Sequence, residues 1–366
     1  MKRNAAAPDY VIVVAIFLLL SIGVVMVYSA SAAFAQFKYG DAFYFAKRQF
    51  LFALLGVLAM FWIAGIDPRK FYRYADAALI ICFVLLIIVL IPGVGIMRNG
   101  ARSWLGIGAF SIQPSEFMKL AVIAFLAKLF SRPDYDLTNF RKGFLPGLLI
   151  PVLAFGLIMM QPDLGTGAVL VGTGLFLLLA AGARMKHLGG VMVLGAAGFV
   201  GLILAAPYRI QRIVAFLNPW QDPLGAGYQL IQSLYAIGPG GLLGLGLGMS
   251  RQKHLYLPEP HTDFIFSILA EELGYLGAAG TVILFAVIVW RGFRVAIHSP
   301  DMFTGLLAAG ITVMIMLQSV INIGVVSGAF PVTGITLPFL SYGGSSLTLS
   351  LAAVGVLLNL SRNVEH

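Results

Sequence analysis

Charged side chains are scarce in this chain, and their scarcity limits what the protein can be. Of its 366 residues, 11% are Asp, Glu, Lys or Arg, whereas 60% are hydrophobic. Soluble domains carry about 25% charged residues and about 45–50% apolar ones. The composition therefore excludes an ordinary soluble domain and predicts a chain that crosses a lipid bilayer several times.

Disulfides, basic runs and clustered metal ligands are also missing. The single cysteine, Cys82, lies in an apolar run, which excludes a disulfide framework and a cysteine metal site. No run of five or more basic residues occurs, so the net charge of +9 predicts contact with membrane lipids and no nucleic acid. His261 has no second histidine at ligand spacing, and the glycine-rich stretch 238–248 lacks the GK[ST] ending of a phosphate loop.

Long apolar runs are what the chain has in abundance. A helix needs about 20 mostly apolar residues to cross a bilayer. Ten runs qualify, at about 10–30, 49–66, 75–92, 115–130, 144–161, 166–183, 187–206, 264–290, 302–325 and 342–360. The sequence thus predicts an all-α polytopic membrane protein, a single domain over 1–366, with a large loop at about 207–263 between the seventh and eighth spans.

The basic residues predict the orientation of these spans. With the N-terminus in the cytoplasm, inner segments carry 14 Lys and Arg residues, and the short outer loops carry 5. Because cytoplasmic loops are enriched in Lys and Arg, both termini are expected inside. The large loop, the stretch QPDLGTG and the segment before SYGGSS then face outward. All motifs that contain candidate catalytic or binding residues therefore lie on one side of the membrane.

The stretch LPEPHTDFIFSILAEE (257–272) concentrates acids at the start of the eighth span. Asp263 has two interpretations at the outer mouth of this span. It fits a helix cap, because an aspartate at a helix N-terminus accepts from free N–H groups. It also fits a general base whose pKa is adjusted by partial burial.

Two further acids of this stretch, Glu271 and Glu272, lie about two turns inside the span. A charge at this depth costs about 2.5–3.5 kcal/mol on insertion scales, so it needs a partner or a wet cavity. In the fourth span, Glu116 and Lys119 are three residues apart and share a helix face. We predict a buried ionic cluster of Lys119 with Glu116 and one of the paired glutamates, with a structural role.

The large loop contains further candidate features. Arg212 and Lys253 lie at the outer headgroup level, where a phosphate would lie, although a solvated face is the default for such charges. Trp104 fits either an interfacial aromatic belt or a platform for a sugar ring. Asp163 in QPDLGTG is interpreted as a turn residue. The stretch 227–237 predicts a short interfacial helix, and 238–248 a re-entrant or surface-lying segment.

Five ordered stretches carry a resemblance to a known family. They are ARSWLGIGAFSIQPSEFMKL (101–120), QPDLGTG (161–167), the run from NPWQDPLGAG to GLGLG (218–248), LPEPHTDFIFSILAEELGYLG (257–277) and PVTGITLPFLSYGGSS (331–346). Together they resemble the SEDS family (shape, elongation, division and sporulation), the group of FtsW, RodA and SpoVE. The length and the last stretch are most similar to the spore-cortex member.

The resemblance implies a membrane glycosyltransferase with ten helices. Such an enzyme polymerises lipid II into β-1,4 glycan strands on the outer face of the bacterial cytoplasmic membrane, with a class B penicillin-binding protein as partner, for spore-cortex, cell-shape or division wall. The essential acid of the family's HTDF motif maps onto Asp263. The candidate substrate-binding positions are Arg212, Lys253, Trp104, Arg102 and Ser341.

The implied chemistry assigns roles to these residues. A lipid diphosphate departs already ionised, so it needs cations rather than an acid catalyst: Arg, Lys, or a divalent metal ion such as Mg²⁺ or Mn²⁺. The acceptor sugar hydroxyl needs one base. We therefore interpret Asp263 as the base, Arg212 and Lys253 as contacts of the diphosphate, and Glu271 and Glu272 as partners of Lys119.

Two other functions remain compatible with the sequence. A lipid II transporter would also be a polytopic bundle with buried charges, although its polar residues are expected along a path rather than on one side. A scaffold that only recruits a penicillin-binding protein would need none of these polar residues.

Overall fold

Apolar runs of 15 to 33 residues fold into the helices that build the protein. The computed structural model describes residues 7–98, 100–107, 110–204 and 207–364. Its helices are α1 (Tyr10–Tyr39), α2 (Tyr44–Ala64), α3 (Pro68–Leu90), α4 (Pro114–Phe130), α5 (Leu145–Met159), α6 (Leu164–Ala180), α7 (Met185–Leu204), α8 (Pro207–Leu217), α9 (Tyr228–Ile237), α10 (Ile265–Ile297), α11 (Met302–Val326) and α12 (Gly344–Ser361).

Ten of these helices, α1–α7 and α10–α12, coincide with the ten predicted spans. Within the described residues, seven helical segments are long and apolar enough to cross a membrane: α1, α2, α3, Phe140–Met159, α10, α11 and α12. Helices α4 and α6 have only 17 residues each. The predicted all-α class of polytopic membrane protein is confirmed, and the single domain over 1–366 stays a prediction.

Close helix packing at the centre depends on small residues. Helix α12 lies against α2, where a Cβ on Gly355 would come within 2.5 Å of the Met60 carbonyl oxygen. A Cβ on Gly56 would come equally close, at 2.5 Å, to the Leu351 side chain. The outer faces carry large exposed apolar side chains such as Trp62, as expected where lipid rather than water surrounds the helices.

Polar contacts join the two chain termini at one end of the bundle. The backbone N–H of Asp9 donates to Ser361 Oγ at 3.1 Å, and Arg291 forms a 2.7 Å ion pair with the Asp9 carboxylate. Asn359 Nδ2 donates to three carbonyl oxygens where α2 ends, at Ile63, Ala64 and Ile66. These bonds satisfy carbonyls that a helix end leaves free. We call this end the terminal end and the other the opposite end.

A small sheet between α3 and α4 was not predicted. Strands β1 (Ile96–Arg98), β2 (Ala101–Ile107) and β3 (Phe110–Ile112) pair antiparallel in that order. The sheet carries Arg102 and Trp104 on β2, and Trp104 is paired in register with Ile96.

The large loop predicted at 207–263 is substantially folded. It contains α8 and α9, and α9 confirms the helix expected over 227–237. The glycine-rich stretch 238–248 then runs beside α10: Leu245 N–H donates to the Glu271 carbonyl at 2.9 Å, and Tyr275 N–H donates to the Gly241 carbonyl at 2.8 Å. This stretch therefore packs irregular backbone against a spanning helix, where its polar groups are paired.

Helix α10 can form these hydrogen bonds because it is broken at Gly274. The backbone of Gly274 has φ 66° and ψ −164°, a conformation that is essentially restricted to glycine. A Cβ at this position would lie 2.3 Å from the backbone nitrogen of Gly244. The break frees carbonyl and N–H groups of α10 for the glycine-rich stretch.

We predict that Gly274→Ala destabilises the protein and reduces its folded yield. The methyl group would force the α10 break out of a glycine-only conformation, at a cost of about 1–3 kcal/mol, and would clash with Gly244. The measurement is thermal unfolding of the detergent-solubilised protein.

Gly280→Ala is the matched control, because a Cβ on this α10 glycine meets nothing within 4 Å. Alanine is the better helix former by about 1 kcal/mol, so this variant should unfold at the same temperature or higher. An equal response of the two variants would contradict the role given to Gly274.

Candidate functional site

Asp263 lies at the opposite end, one residue before the N-cap of α10. Its backbone carbonyl accepts a 2.8 Å hydrogen bond from Asn322 Nδ2 on α11. The same Asn322 amide nitrogen donates to the Ile335 carbonyl at 2.6 Å. One buried amide therefore fixes the backbone of Asp263 relative to the segment that follows α11.

That segment, 331–341, closes over Asp263 from the other side. Ser341 Oγ donates to the Thr262 carbonyl at 2.6 Å and accepts from Leu337 N–H at 2.8 Å. The Tyr342 N–H donates to the His261 carbonyl at 2.8 Å. The buried hydroxyl of Ser341 thus positions the chain beside Asp263 through backbone partners. A substrate contact by Ser341 stays a prediction.

The carboxylate of Asp263 faces a backbone without a side chain. Gly334 has φ +73°, and a Cβ built on it would lie 3.6 Å from Asp263 Oδ2. No described residue donates a hydrogen bond to this carboxylate, and the residue is only partly buried. Within the described residues, the acceptor capacity of the Asp263 carboxylate is therefore unused.

Burial, and to a smaller extent the negative charges of Glu259 and Asp163, together raise the pKa of Asp263 to about 7. A carboxyl group in water titrates near 3.9, so this one exchanges its proton close to neutral pH. A group of this kind suits general base catalysis, where the best pKa lies near the working pH.

Asp163 is the acid that sequence reasoning underestimated. It caps α6, accepting from Thr166 N–H at 3.0 Å, and its other oxygen accepts from Gln113 Nε2 at 2.9 Å. Burial raises the pKa of Asp163, and the charges of Glu116 and Lys119 also act on it. The turn interpretation missed that the cap brings this acid close enough to Asp263 for their charges to interact; only the tertiary structure carries that information.

The predicted pairing of Lys119 with Glu116 is confirmed. Lys119 Nζ lies 2.8 Å from Glu116 Oε1, one helical turn apart on α4, and both side chains are buried. The further prediction that Glu271 or Glu272 joins Lys119 is wrong. Those two glutamates bind a different part of the chain.

Glu272 holds Lys253. Lys253 Nζ lies 2.9 Å from Glu272 Oε1 and 3.1 Å from Ser29 Oγ on α1, and the Ser29 hydroxyl donates to the same carboxylate at 2.7 Å. Lys253 is 6% exposed. The interpretation of Lys253 as a diphosphate contact is therefore wrong, because its ammonium group is buried against a carboxylate.

Both glutamates also fasten the loop before Lys253. Glu271 accepts from the Ser250 hydroxyl and from Arg251 N–H at 2.9 Å. Glu272 accepts from Gly248 N–H at 3.0 Å and from Ser250 N–H at 3.2 Å. Their structural role is confirmed, but they act on the outer loop rather than on α4.

The structure describes the other predicted substrate contacts only in part. Arg102 lies on β2, and its Nε is buried with no hydrogen-bond partner among the described residues. Trp104 lies two residues further along the same strand. Arg212 belongs to α8, but its side chain lies outside the described part of the chain. A substrate role for these three residues stays a prediction.

His261 is a packing residue. Its ring lies 4.4 Å from the Phe45 ring and 6.0 Å from the Phe34 ring, measured between centroids. Burial lowers the pKa of His261 to about 4, which keeps the imidazole neutral at physiological pH. Among the described residues, no group of three or more His, Cys, Asp or Glu side chains could hold a metal ion.

Comparison with known proteins shows which family the chain belongs to. The sequence profile of the FtsW–RodA–SpoVE family, described as cell cycle proteins, matches residues 10–366. The chain belongs to this family. It is 59% identical to "Stage V sporulation protein E" of Bacillus subtilis (strain 168), over 99% of both chains. It is 43% identical to the "Probable peptidoglycan glycosyltransferase FtsW" of Trichlorobacter lovleyi, over 98% of this chain and 94% of that one.

Solved structures of the family share the fold. A chain from a structure described as "Structural coordination of polymerization and crosslinking by a peptidoglycan synthase complex" is 32% identical, with a TM-score of 0.81 over 97% of this chain and 98% of its own length. The rod shape determining protein RodA of Thermus thermophilus is 28% identical, with a TM-score of 0.73 over 100% of both chains.

We predict that Lys253→Met destabilises the protein strongly. The substitution leaves the Glu272 carboxylate buried without its cation, and breaking a buried ion pair in this way costs about 3–5 kcal/mol. The expected result is a lower unfolding temperature in detergent and faster proteolysis of the 244–263 region.

Two further variants test whether the unpaired charge of Glu272 causes the loss of stability. Adding Glu272→Gln to Lys253→Met removes the unpaired charge and should recover part of the stability. Lys186→Met, at an exposed lysine of α7, should change nothing. Normal stability of Lys253→Met would show that the ion pair does not hold the loop.

Proposed function

We propose that this protein is a membrane glycosyltransferase that polymerises lipid II into β-1,4 glycan strands. The observation that carries the proposal is the carboxylate of Asp263, which is partly buried at one end of the bundle and has its pKa raised to about 7. Membership of a family whose named relatives include peptidoglycan glycosyltransferases supports the same reaction.

The proposed reaction needs one base and one stabilised leaving group. Asp263 accepts the proton of the acceptor sugar 4-hydroxyl, and the freed oxygen attacks C1 of the donor sugar. The new C–O bond forms as the bond from C1 to the diphosphate oxygen breaks, and its electron pair leaves with the lipid diphosphate. In-line attack inverts the donor linkage from α to β. Unlike a glycosidase, the enzyme needs no second carboxyl group as acid.

The leaving diphosphate needs positive charge. Lys253 and Lys119 are engaged with Glu272 and Glu116, so neither is available to it. Arg102 is a better candidate, since its buried Nε has no described partner, and Arg212 remains a second one. Arginine suits this task because its fork of donors matches phosphate oxygens.

A divalent ion, Mg²⁺ or Mn²⁺, stays a prediction of the implied chemistry. The described residues do not fit a resident metal centre, because no three potential ligands lie together. Mg²⁺ is commonly held by one or two carboxylates together with water and substrate phosphates, so Asp163 and Asp263 are the residues that would hold such an ion with the substrate. No step of the proposed mechanism depends on an ion.

We propose that both termini lie in the cytoplasm and the site on the outer face of the bacterial cytoplasmic membrane. Asp9 and Ser361 meet at the terminal end, and the 18-residue helix α12 separates that end from the segment over Asp263. At about 1.5 Å per residue this helix is some 27 Å long, close to the thickness of a hydrocarbon core. The excess of Lys and Arg in the inner segments gives the direction.

We further propose a class B penicillin-binding protein as partner, since a similar solved chain comes from a complex that coordinates polymerization and crosslinking. The surface we assign to its membrane helix is the small-residue stretch of α10 that includes Ala278, Ala279 and Gly280. The corresponding glycines of α11 are less suitable, because Gly310 packs against Ile123 inside the bundle.

We predict that Asp263→Asn abolishes polymerisation by the purified protein. Asparagine keeps the shape of the side chain but cannot accept the proton, so the rate should fall by about 10²–10⁴. For the unsubstituted protein, kcat/KM should rise as the pH passes through about 7, where Asp263 becomes ionised. The measurement is glycan formation from lipid II in detergent.

Asp134→Asn is the control, since this exposed aspartate lies beyond α4 at the terminal end. It should polymerise at the normal rate. Retained polymerisation by a folded Asp263→Asn protein would reject Asp263 as base. A protein that yields no glycan in detergent at any pH, yet moves lipid II across vesicle membranes, would favour the transporter instead.

We predict that the cognate penicillin-binding protein raises turnover more than it lowers KM. A partner that rests on the outer loop would restrict the motion of Asp263 relative to the substrate, which acts on the chemical step. Rates at saturating lipid II, with and without the partner, measure the effect. A gain confined to low substrate concentrations would point to recruitment.

Ala279→Phe should lower the gain from the partner and preserve the rate of the isolated protein, because a bulky side chain separates two helices that pack through small residues. Ala77→Phe on the exposed face of α3 should preserve the gain. Equal gains for both variants would place the partner elsewhere.

A further inference from the structure

A cavity of about 370 Å³ lies beside the site, between α8, α9 and the turn that joins them. Its volume falls within the range of small-molecule sites, about 300–1,000 Å³. The lining residues come from three parts of the chain: Gln211, Ala215, Phe216, Gly225, Ala226, Gln229, Leu230 and Val332. None of the roles derived above uses this cavity.

We propose that this cavity binds one uncharged N-acetylhexosamine unit of the glycan during polymerisation. The inference rests on the proposed function and deepens it, because it names the part of the substrate that the outer loop recognises. Both the growing strand and the incoming lipid-linked sugar carry this unit, so the same chemistry has two sources.

The composition of the walls favours a neutral sugar. Two glutamine side chains, Gln211 and Gln229, offer amide donors and carbonyl acceptors, which match sugar hydroxyl and acetamide groups. Neither amide has a hydrogen-bond partner among the described residues. Phe216 supplies an aromatic surface, which suits the apolar face of a sugar ring.

The described walls suit a neutral group better than the charged parts of a lipid-linked substrate. No lining residue that the structure describes carries a charge, so the described walls offer no cation to a diphosphate or to the carboxylates of a peptide stem. Apolar atoms of Leu230 and Val332 instead suit the acetamide methyl group.

The cavity is placed where a sugar would extend from the reacting centre. Val332 lines it, and two residues further on Gly334 lies against the Asp263 carboxylate. Two residues of extended chain span about 7 Å, which is the scale of one sugar ring. If the 4-hydroxyl of a sugar contacts Asp263, that sugar or the next sugar of the glycan would therefore lie in this cavity.

The walls are held by bonds of their own. Asp222 accepts from Ala226 N–H at 2.9 Å through its carboxylate and from Gly227 N–H at 3.1 Å through its carbonyl. A Cβ on Gly227 would lie 2.1 Å from the Pro219 carbonyl oxygen, so the turn packs on itself. The cavity thus has a preformed wall, which lowers the cost of ordering on binding.

The test measures sugar binding apart from catalysis. The Asp263→Asn protein in detergent is titrated with soluble N-acetylglucosaminyl-N-acetylmuramic acid disaccharide and followed by saturation-transfer NMR at the acetamide methyls. We expect transfer to this probe, and a Kd raised about tenfold or more by Gln211→Ala combined with Gln229→Ala, because each lost amide leaves a sugar group unpaired. Gln221→Ala, at an exposed glutamine outside the cavity, should leave Kd unchanged.

A second variant tests the cavity by filling it. Ala226→Phe should abolish transfer, whereas Leu224→Phe, at a residue of the same turn that does not line the cavity, should preserve it. With Asp263 intact, a rise in KM for lipid II in the glutamine variants assigns the cavity to the incoming sugar. Shorter glycan products at unchanged KM assign it to the growing strand.

The outcomes separate this inference from the proposed function. Disaccharide binding that depends on both glutamines, in a protein that makes no glycan, would keep the cavity and reject the polymerase. Polymerisation that is indifferent to the glutamine and Ala226 variants, or transfer that persists in all of them, would overturn the cavity assignment and leave the polymerase standing.

Discussion

Buried charge in an apolar bundle has to be neutralised, and the geometry of the outer loop follows from that requirement. Glu271 and Glu272 lie inside α10, where water is not available to them. They are satisfied by N–H groups, by the Ser250 and Ser29 hydroxyls, and by Lys253. Because all of those donors except Ser29 of α1 belong to the loop, the loop has to fold down onto α10. The Gly274 break provides the space for it.

The same neutralisation explains why Asp263 differs from its neighbours. The lysines nearest the site are committed, Lys119 to Glu116 and Lys253 to Glu272. Asp263 and Asp163 are close enough for their charges to interact, neither forms an ion pair with a described lysine, and burial raises the pKa of both. Burial and neighbouring acids thus give the Asp263 carboxylate the proton affinity that the proposed role as base requires.

The relatives place this arrangement in a wider group. The chain matches a sporulation protein at 59% identity and FtsW proteins at about 43%, in each case along nearly its whole length. Solved structures at 28–32% identity keep the fold with TM-scores of 0.73–0.81. One fold is therefore common to proteins named for sporulation, for peptidoglycan glycosyl transfer and for rod shape.

Sequence alone was enough to predict the ten apolar helices and the Lys119–Glu116 pair, and it singled out Asp263 among the acids. These follow from local composition, helical spacing and ordered motifs, all of which are readable along the chain. Only the tertiary structure decided that Lys253 belongs to Glu272, that Ser341 holds backbone, that Asp163 approaches Asp263, and that a cavity opens between α8 and α9. Those contacts join residues that are at least 19 positions apart in the sequence, and some are 100 or more positions apart. Which residues pair depends on which buried groups remain unsatisfied once the helices have packed.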